Sequence, residues 1–539
     1  MVKNEPVHRI TDRSCRDNFD ISAGTLLDGL LGEPDGRISP SVYETSRVCC
    51  LSRSLPYQPR RLDFLLTAQH PDGRWGGPEG YALVPTLSAV LALVTAVLRG
   101  ERAQNETNGE GRLVSAAARG LDVVIGLLER VRPTDLPDTV AVEILLPTLV
   151  DGVRKLLPEL AAADGLERFA TAGFSERLRL PGSVAVAPSW RRAGRLPPQA
   201  WHSLEAIEMS GPGRLAAVTP SAGAVCCSPA ATVAYLAAGL GSPSQRHECS
   251  EFLDRTVRRS GGPVPSVLPI TFFERAWVLS ALARASVDVT VPGALLADLE
   301  AVVQNGPTGG APGLPADADT TSTVLYVLAA HGRRVDMDIL FEFETDDHFQ
   351  GWPGEGTPSV TANAHVLQAL GSHLVRTPTR SPRYQPAIDK VVRWLYERQA
   401  PEGCWSDKWH ASPLYATGRC ALALAAYGAT LGGVAAYRAI HWILGAQHAD
   451  GSWGRWGGTA EETAYAVQTL LLVEDPRTEA DRKSAVARAR HVVRRAANPR
   501  STTPLPALWH DKDLYCPIAV VESEIMAAHA LMNQRLAQQ

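Results

Sequence analysis

The sequence has no excess of basic residues and no stretch of the kind that directs secretion. Lys and Arg number 53 against 57 Asp and Glu, which gives a formal net charge of −4. Nucleic-acid-binding proteins carry a basic excess, so this balance argues against that class of partner. The first residues, Met1–Pro6, are polar and of mixed charge, so we expect no secretory leader.

Cysteine spacings that hold zinc or build a disulfide framework are also missing. The nine cysteines include two adjacent pairs, Cys49-Cys50 and Cys226-Cys227, but no Cys-x-x-Cys. This usage predicts reduced thiols and a cytoplasmic protein. The longest apolar run, 83–98, is interrupted by polar residues and a proline, so we expect a buried helix there and no membrane span.

Alternating strand patterns are scarce, and the predicted fold class is all-α. Apolar residues recur at helical spacing from Ile21 to Leu531, as amphipathic helices require. Hydrophobic residues make up 45% and charged residues 20% of the 539 positions. A globular chain of this length usually forms two or more domains.

One motif recurs along the chain: Gln, two residues, an acidic residue, Gly, one residue and Trp. It occurs at 69–75, 399–405 and 447–453, and a degenerate copy ends at Trp352. Each copy precedes an Ala/Leu-rich helix pattern. A repeat of about fifty residues with two helices predicts stacked helical hairpins, which close into an α/α barrel. The turn and the Trp of the motif are predicted to be structural.

Two carboxylates, Asp317 and Asp319, stand just before the apolar helix pattern of 324–330. A helix N-terminus favours negative charge, so the pair fits the ordinary acidic start of a helix. The same pair fits a catalytic acid with a helper, provided that it lies in a cavity. The spacing alone leaves both interpretations open.

Four further segments, taken in order with the repeat, resemble the bacterial class II terpene cyclases of the copalyl diphosphate synthase type. They are Trp201–Ala206, Ser228–Thr232, Phe349–His365 and Asp407–Trp409. The resemblance implies two α/α-barrel domains, called β and γ. The γ domain (46–299) would be inserted between the first β helix (within 1–45) and the rest of the β domain (300–539). The active site is then expected between the barrels.

The resemblance also implies a reaction. It starts with protonation of the terminal alkene of geranylgeranyl diphosphate and gives a bicyclic copalyl-type (labdane) diphosphate, with the diphosphate retained. Farnesyl diphosphate, which would give a drimenyl-type product, is an alternative substrate. An alternative from another class is a non-catalytic helical-toroid binding module. Ionisation chemistry is not expected, because no Asp-Asp-x-x-Asp occurs.

The acid of this reaction, by resemblance, is Asp319, with Asp317 as its helper. The family motif is Asp-x-Asp-Asp, and here Thr320 replaces the last Asp, which leaves one less like charge beside the acid. His365 falls where related enzymes hydrogen-bond the acid, and a histidine there could orient the carboxyl and return its proton. An ordinary buried histidine is the alternative.

The retained diphosphate must be bound, and the resemblance links Asp138 and Glu143 to Mg²⁺. Five residues is about 1.4 turns, so an ideal helix would not place both carboxylates on one face. Asp138 follows a proline, however, and its direction is freer at a helix end. Both could hold Mg²⁺ together with diphosphate oxygens. Lys408 is expected to add positive charge; a surface lysine and an acidic surface patch are the alternatives.

The carbocation needs walls that are polarisable but not nucleophilic. Trp201 and Trp352 are the candidates, and both also fit core positions. His202 and Asn363 are candidates for contacting the substrate where the last cation is quenched. The expected partner is a prenyl diphosphate. Ring stereochemistry and oligomeric state stay open.

Overall fold

A computed structural model describes residues 13–104, 109–182, 198–207, 218–377, 382–498 and 504–537. Helices dominate these ranges, which confirms the predicted all-α class. The α-helices are α1 (Arg13–Gly32), α2 (Val42–Leu51), α3 (Gln58–Thr67), α4 (Leu83–Leu98), α5 (Gly109–Arg130), α6 (Val142–Leu156), α7 (Ala172–Arg177), α8 (Pro229–Ala237), α9 (Pro243–Arg259), α10 (Thr271–Arg284), α11 (Gly293–Val303), α12 (Ala318–Ala330), α13 (Val360–Arg376), α14 (Tyr384–Glu397), α15 (Pro413–Tyr427), α16 (Ala429–Gly445), α17 (Ala460–Leu472), α18 (Glu479–Ala496) and α19 (Ile518–Ala537).

Shorter elements connect them. The 3₁₀ helices are Glu79–Ala82, Pro133–Asp135, Leu157–Ala162, Glu167–Phe169, Pro198–Ala206, Met337–Phe343 and Pro476–Thr478. Two strands, β1 (Trp509–His510) and β2 (Leu514–Tyr515), pair antiparallel in a hairpin.

The helices pack around separate hydrophobic cores that define two barrels. The first core is built by helices α2, α3, α4, α5 and α6, with side chains such as Leu87 and Leu121. The second joins α1 to α10–α17 and α19 through side chains such as Leu27 and Leu367. An adjoining core brings in α18. Each barrel has its own set of buried side chains. Each fully buried Leu among them contributes about 1.5–3 kcal/mol to folding.

The first helix packs with the second barrel although the whole first barrel separates them in sequence. Leu27 of α1 shares a core with Leu279 of α10 and Leu299 of α11. The expected boundary at 299 would assign α10 and most of α11 to the first barrel, whereas they pack with the second. Because the apolar faces of α10 and α11 meet α1 and α12, packing places the boundary near residue 270.

The repeated motif makes the same hydrogen bonds in each full copy. At 447–453 the Trp453 indole donates to Ile443 O (2.7 Å), and the Gln447 amide donates to Gly451 O and Ala485 O (both 2.9 Å). Gly451 has a φ of 85°, and a Cβ there would lie 2.5 Å from a backbone oxygen, so the turn requires glycine. The motif ties one hairpin to the next helix, which is the structural role expected of it.

The degenerate copy uses Phe349, and not Trp352, in the position of the Trp. The amide of Phe349 donates to Asn363 Oδ1 (2.9 Å), where the full copies use a threonine hydroxyl. Asn363 Nδ2 in turn donates to Phe349 O (2.8 Å) and Ser359 O (2.9 Å). The Asn363 amide is fully buried and its hydrogen bonds all go to the backbone. It therefore does not face the substrate, contrary to expectation.

The long apolar run is a core helix, as expected. Within the described residues, the segment Glu79–Leu98 is long and apolar enough to cross a membrane by length and composition alone. In the structure 83% of its apolar window is buried, and its Leu87 and Val90 lie in the first core.

A buried lysine joins the C-terminal hairpin to the first barrel. Lys512 Nζ donates to Glu44 Oε1 (2.6 Å), Glu205 Oε1 (2.9 Å) and Ser228 Oγ (2.9 Å). Burial raises the pKa of Glu44, while the Lys512 charge opposes that shift. The hairpin also packs in the second core through Trp509. Segments 201–206 and 228–232, which carried the resemblance, therefore hold the barrels together.

Candidate active site

A cavity of about 1170 Å³, counting its open mouth, lies between the two barrels. Val140 and His202 line it from the first-barrel side, Asp319 and Trp352 from the second barrel, and Asp511 from the hairpin.

Asp319 lies in the wall of this cavity, in the first turn of α12. Its side chain is 14% exposed, and its Oδ1 lies 2.6 Å from Nδ1 of His365. The His365 ring is buried and packs edge-to-face on Trp277 at 5.4 Å. The N–H groups of the helix start favour a carboxylate there. The acid and partner suggested by the sequence are therefore in direct contact, and the acid faces a cavity.

Asp317 caps the same helix. Its carboxylate accepts hydrogen bonds from Thr320 N (2.6 Å) and Thr320 Oγ1 (3.0 Å). Burial raises the pKa of Asp317 to about 7, the Thr320 bonds oppose the shift and the charge of Asp319 adds to it. Thr320 thus supplies a donor to Asp317 where the family's Asp would bring a further charge.

Asp407 lies in one of the segments that carry the resemblance, but sequence analysis assigns it no role. It accepts hydrogen bonds from Ser359 Oγ (2.9 Å), Val360 N (2.7 Å) and Thr361 Oγ1 (3.0 Å) at the start of α13. This helix carries His365. Burial, followed by the charge of Asp319, raises the pKa of Asp407. Asp407 therefore positions the helix that presents the partner of the acid.

Aromatic rings form much of the remaining wall. Phe273 lies 4.6 Å from Trp277 and 5.4 Å from Trp509, between ring centroids, and all three line the cavity. Trp352, a predicted wall residue, also lines it. Such faces attract cations.

Trp201 was expected in the wall of the cavity, but the structure places it elsewhere. It is not among the residues that line the cavity. Its ring packs against the core around Leu204 and Tyr235, because the 3₁₀ helix that carries it directs the neighbouring His202 to the cavity instead.

Similarity to known proteins agrees with this geometry. The family described as Squalene-hopene cyclase C-terminal domain matches residues 356–475. An ent-copalyl diphosphate synthase of Streptomyces sp. (strain KO-3988) is 40% identical over 529 residues, which cover 96% of each chain. The chain belongs to the bacterial class II terpene cyclases. A labda-7,13-dienyl diphosphate synthase of Streptomyces clavuligerus is 38% identical to this cyclase over 522 residues, 96% of this chain and 93% of that protein.

Solved structures share the fold. The ent-copalyl diphosphate synthase from Streptomyces platensis superimposes with a TM-score of 0.85 at 38% identity, covering 96% of the cyclase and 99% of that chain. The ent-copalyl diphosphate synthase from Arabidopsis thaliana gives a TM-score of 0.55 at 17% identity, covering 97% and 79%. At that identity the likeness shows the fold alone.

Lys408 of the cyclase is engaged within the protein. Its ammonium group forms a buried ion pair with Glu355 and donates to Thr357 O (2.8 Å). It also lies 4.3 Å from the centre of the Trp352 ring and 5.2 Å from that of Trp409. The lysine stands behind two rings of the cavity wall, and its expected contact with a diphosphate would require it to leave Glu355.

His202 lines the cavity and forms a pair with Asp511. Its Nδ1 lies 2.8 Å from Cys226 O and its Nε2 2.9 Å from Asp511 Oδ1. Burial alone would lower the pKa of His202, but the Asp511 carboxylate raises it. Nδ1 faces a carbonyl and must carry a proton, so a second proton is shared between Nε2 and Asp511. Oδ2 of Asp511 has no hydrogen-bond partner among the described residues.

Asp138 and Glu143 are not among the residues that line the cavity. Asp138 precedes Val140, which lines the cavity and donates its amide to Asp511 O (3.0 Å). Glu143 is in the first turn of α6, and both residues are exposed. Partial desolvation, and the nearby charge of Asp138, raise the pKa of Glu143. The described residues contain no group of three or more His, Cys, Asp or Glu that could hold a metal ion, so no third side chain of these types joins Asp138 and Glu143.

Proposed function

We propose that this enzyme protonates the terminal alkene of geranylgeranyl diphosphate and closes two rings to give a copalyl-type diphosphate. The observation that carries the proposal is the contact between Asp319 and His365 (2.6 Å) in the wall of an aromatic cavity between the barrels. The relatives named as copalyl and labdadienyl diphosphate synthases support the class of substrate. Eight of the nine cysteines are free in the structure, which supports work in the cytoplasm.

Proton transfer from Asp319 starts the reaction. An alkene is a very weak base, so the acid must act where water does not compete for its proton. Nδ1 of His365 donates to Oδ1 of Asp319, which leaves Oδ2 to carry the proton towards the substrate. As the proton leaves, the new carboxylate is stabilised by His365 and by the helix start. The CH carbon of the terminal double bond gains the proton, and a tertiary cation forms at the carbon that bears the two methyl groups.

Two of the three remaining alkenes then attack the cation in turn, and two C–C bonds form. The faces of Trp277, Trp352 and Trp509 stabilise the positive charge. Loss of one proton ends the reaction, so the product is an isomer of the substrate. The pair of His202 and Asp511 is our candidate acceptor, through the unpartnered Oδ2 of Asp511.

The diphosphate is proposed to bind at the cavity mouth with Mg²⁺. Asp138 and Glu143 offer the hard oxygen ligands that this cation prefers, and neither has an ion-pair partner among the described residues. The diphosphate oxygens would complete the coordination. The bound ion would neutralise charge on the diphosphate, while the residues themselves fix where that end of the substrate stays.

Farnesyl diphosphate remains the alternative substrate. Thr320 in place of the final Asp of the motif keeps it open. A non-catalytic module would have shown the acid facing bulk solvent, whereas Asp319 is 14% exposed and lines the cavity.

Incubation of the purified protein with Mg²⁺ and each of the two prenyl diphosphates tests the proposal. We expect a cyclic product that keeps its diphosphate, with geranylgeranyl diphosphate preferred. Asp319→Asn should lower turnover at least about 10³-fold without lowering the melting temperature, because the two side chains have the same shape. Asp336→Asn, at an exposed cap, is the control. Turnover retained by Asp319→Asn, or release of free diphosphate during cyclisation, would contradict the proposal.

A further inference from the structure

A buried carboxylate lies behind the aromatic wall and has no part in the mechanism above. Glu461 is in the first turn of α17 and is fully buried. Burial of an ionised carboxylate is costly unless its charge is compensated. Its presence so close to the cavity therefore calls for a physical reason.

Three donors converge on one oxygen of Glu461. Oε1 accepts hydrogen bonds from the indole N–H of Trp509 (2.8 Å) and the hydroxyl of Tyr465 (2.8 Å), and lies 3.2 Å from Nε2 of His410. The ring of His410 is neutral, because its Nδ1 accepts the amide of Ser412 (3.0 Å) and the ring proton is then on Nε2. All three neighbours donate to Glu461.

These contacts identify Glu461 as an anion. Its other oxygen, Oε2, has no hydrogen-bond partner among the described residues, so a proton on it would be an unpaired buried donor. Within the same ranges no Lys or Arg forms an ion pair with Glu461. The only ion-pair partner of Glu461 there that could carry a positive charge is His410, and that ring is neutral. A negative charge without an adjacent cation therefore lies behind the wall.

Trp509 connects this charge to the cavity. Its ring lines the cavity while its N–H is bonded to Glu461. The ring centroid lies 5.4 Å from that of Phe273 and 4.8 Å from that of Tyr415. Tyr415 in turn accepts a hydrogen bond from the indole of Trp277 (3.0 Å), the ring that packs on His365. The charge is therefore coupled to the wall that faces the acid.

We propose that Glu461 is the counter-charge of the carbocation and acts through Trp509. It holds the indole in place and adds a negative field to the attraction of the ring face. A hydrogen bond to an anion also polarises the indole. A carboxylate in direct contact with the cationic carbon can capture it as an ester, whereas one behind an indole cannot form that bond. The role is one of positioning and electrostatics, and it rests on the proposed cyclase function.

Binding of two matched probes tests the field directly. One is a farnesyl-length chain that ends in a trimethylammonium group, and the other ends in the uncharged tert-butyl group. We expect calorimetry to show that Glu461→Gln lowers the preference for the ammonium probe about tenfold or more, with the affinity for the tert-butyl probe unchanged. A preference within twofold of the wild type would overturn the proposal.

Glu462→Gln is the control, because it is the same substitution on the next residue. Glu462 is also buried, but it accepts from Arg455 N (2.7 Å) and Thr459 Oγ1 (2.8 Å) and not from an aromatic ring. Its substitution should leave the probe preference unchanged. An equal loss in both variants would mean that the effect is not specific to Glu461, and would also overturn the proposal.

Kinetics provide the second readout. Glu461→Gln should lower kcat for cyclisation about tenfold or more, leave KM nearly unchanged and release partly cyclised products. If Glu461→Gln does not fold, Glu461→Asp, which keeps the charge but withdraws it from Trp509, must change the products, or the proposal fails. Normal kcat and probe preference in Glu461→Gln, beside an active wild type, would refute this inference alone. A wild type that makes no cyclic diphosphate would refute the cyclase function, and the probe ratio would still decide the field.

Discussion

Replacement of Asp317 by Asn should make the protein more stable at neutral and alkaline pH. Burial, mainly, raises the pKa of Asp317 from 3.8 to about 7. The folded state therefore holds a proton on this group between about pH 4 and 7 that the unfolded state has lost, and stability falls as pH rises through that window. Asn keeps the shape and caps helices as well as Asp does, but it has no charge to bury.

The size of the effect follows from the shift. Between pH 5 and 7 two pH units of this titration cost about 3 kcal/mol at about 1.4 kcal/mol per unit. We halve this to about 1.5 kcal/mol, because the side chain lines an open cavity and solvent screens part of its charge. The difference in free energy of unfolding between Asp317→Asn and the wild type should therefore shift by about 1.5 kcal/mol in favour of the variant from pH 5 to pH 8. Cyclisation by the variant should be slower.

Urea unfolding at pH 5 and pH 8 measures this difference. Asp336→Asn, at an exposed cap, should change stability equally at both pH values. If Asp317→Asn is less stable than the wild type at pH 8, or if its advantage does not grow between pH 5 and 8, burial of the charge is not what shifts this group.

Three other predictions concern the acid's partner, the junction between the barrels and the cavity mouth. His365→Phe keeps an aromatic ring on Trp277 but removes the donor to Asp319; kcat should fall about 10²-fold with unchanged KM, and a loss below threefold would contradict the role. Lys512→Met leaves buried carboxylates without their cation and should cost about 3–5 kcal/mol in urea unfolding; wild-type stability would contradict this. Asp138→Asn should raise the Mg²⁺ concentration for half-maximal activity about tenfold, and an unchanged titration would refute the metal site.

The helical repeat could be predicted because its signals are local, whereas the roles of the acid and of His365 came from the resemblance to the family. The repeat carries its own turn, Trp and helix start, and the pair at 317 and 319 stands directly before its helix. The repeat and the helix start depend on neighbours within a few turns, so the chain order is enough to propose them. The contact between Asp319 and His365 joins residues 46 positions apart, and only the resemblance suggested it.

Other parts of the site depend on contacts that no spacing encodes. Asp407 caps a helix that begins at 360, and Trp509 meets Glu461 only because the hairpin folds back onto α17. Lys408 was expected at a diphosphate, but its partner Glu355 lies in a loop with no pattern of its own. Trp201 was expected in the cavity wall, but it packs in a core of the first barrel. The direction of a side chain on a short 3₁₀ helix depends on what packs against it, which the spacing does not encode.

The inserted order of the barrels has a consequence for synthesis on the ribosome. Helix α1 emerges first, yet its packing partners α10 and α11 follow only after the whole first barrel, beyond residue 270. The apolar face of α1 must stay shielded during that interval, by a chaperone or by transient contacts. The reaction chamber itself is completed only when residues 509–515 have left the exit tunnel. A nascent chain stopped before Trp509 would therefore bury much of two cores and have no catalytic activity.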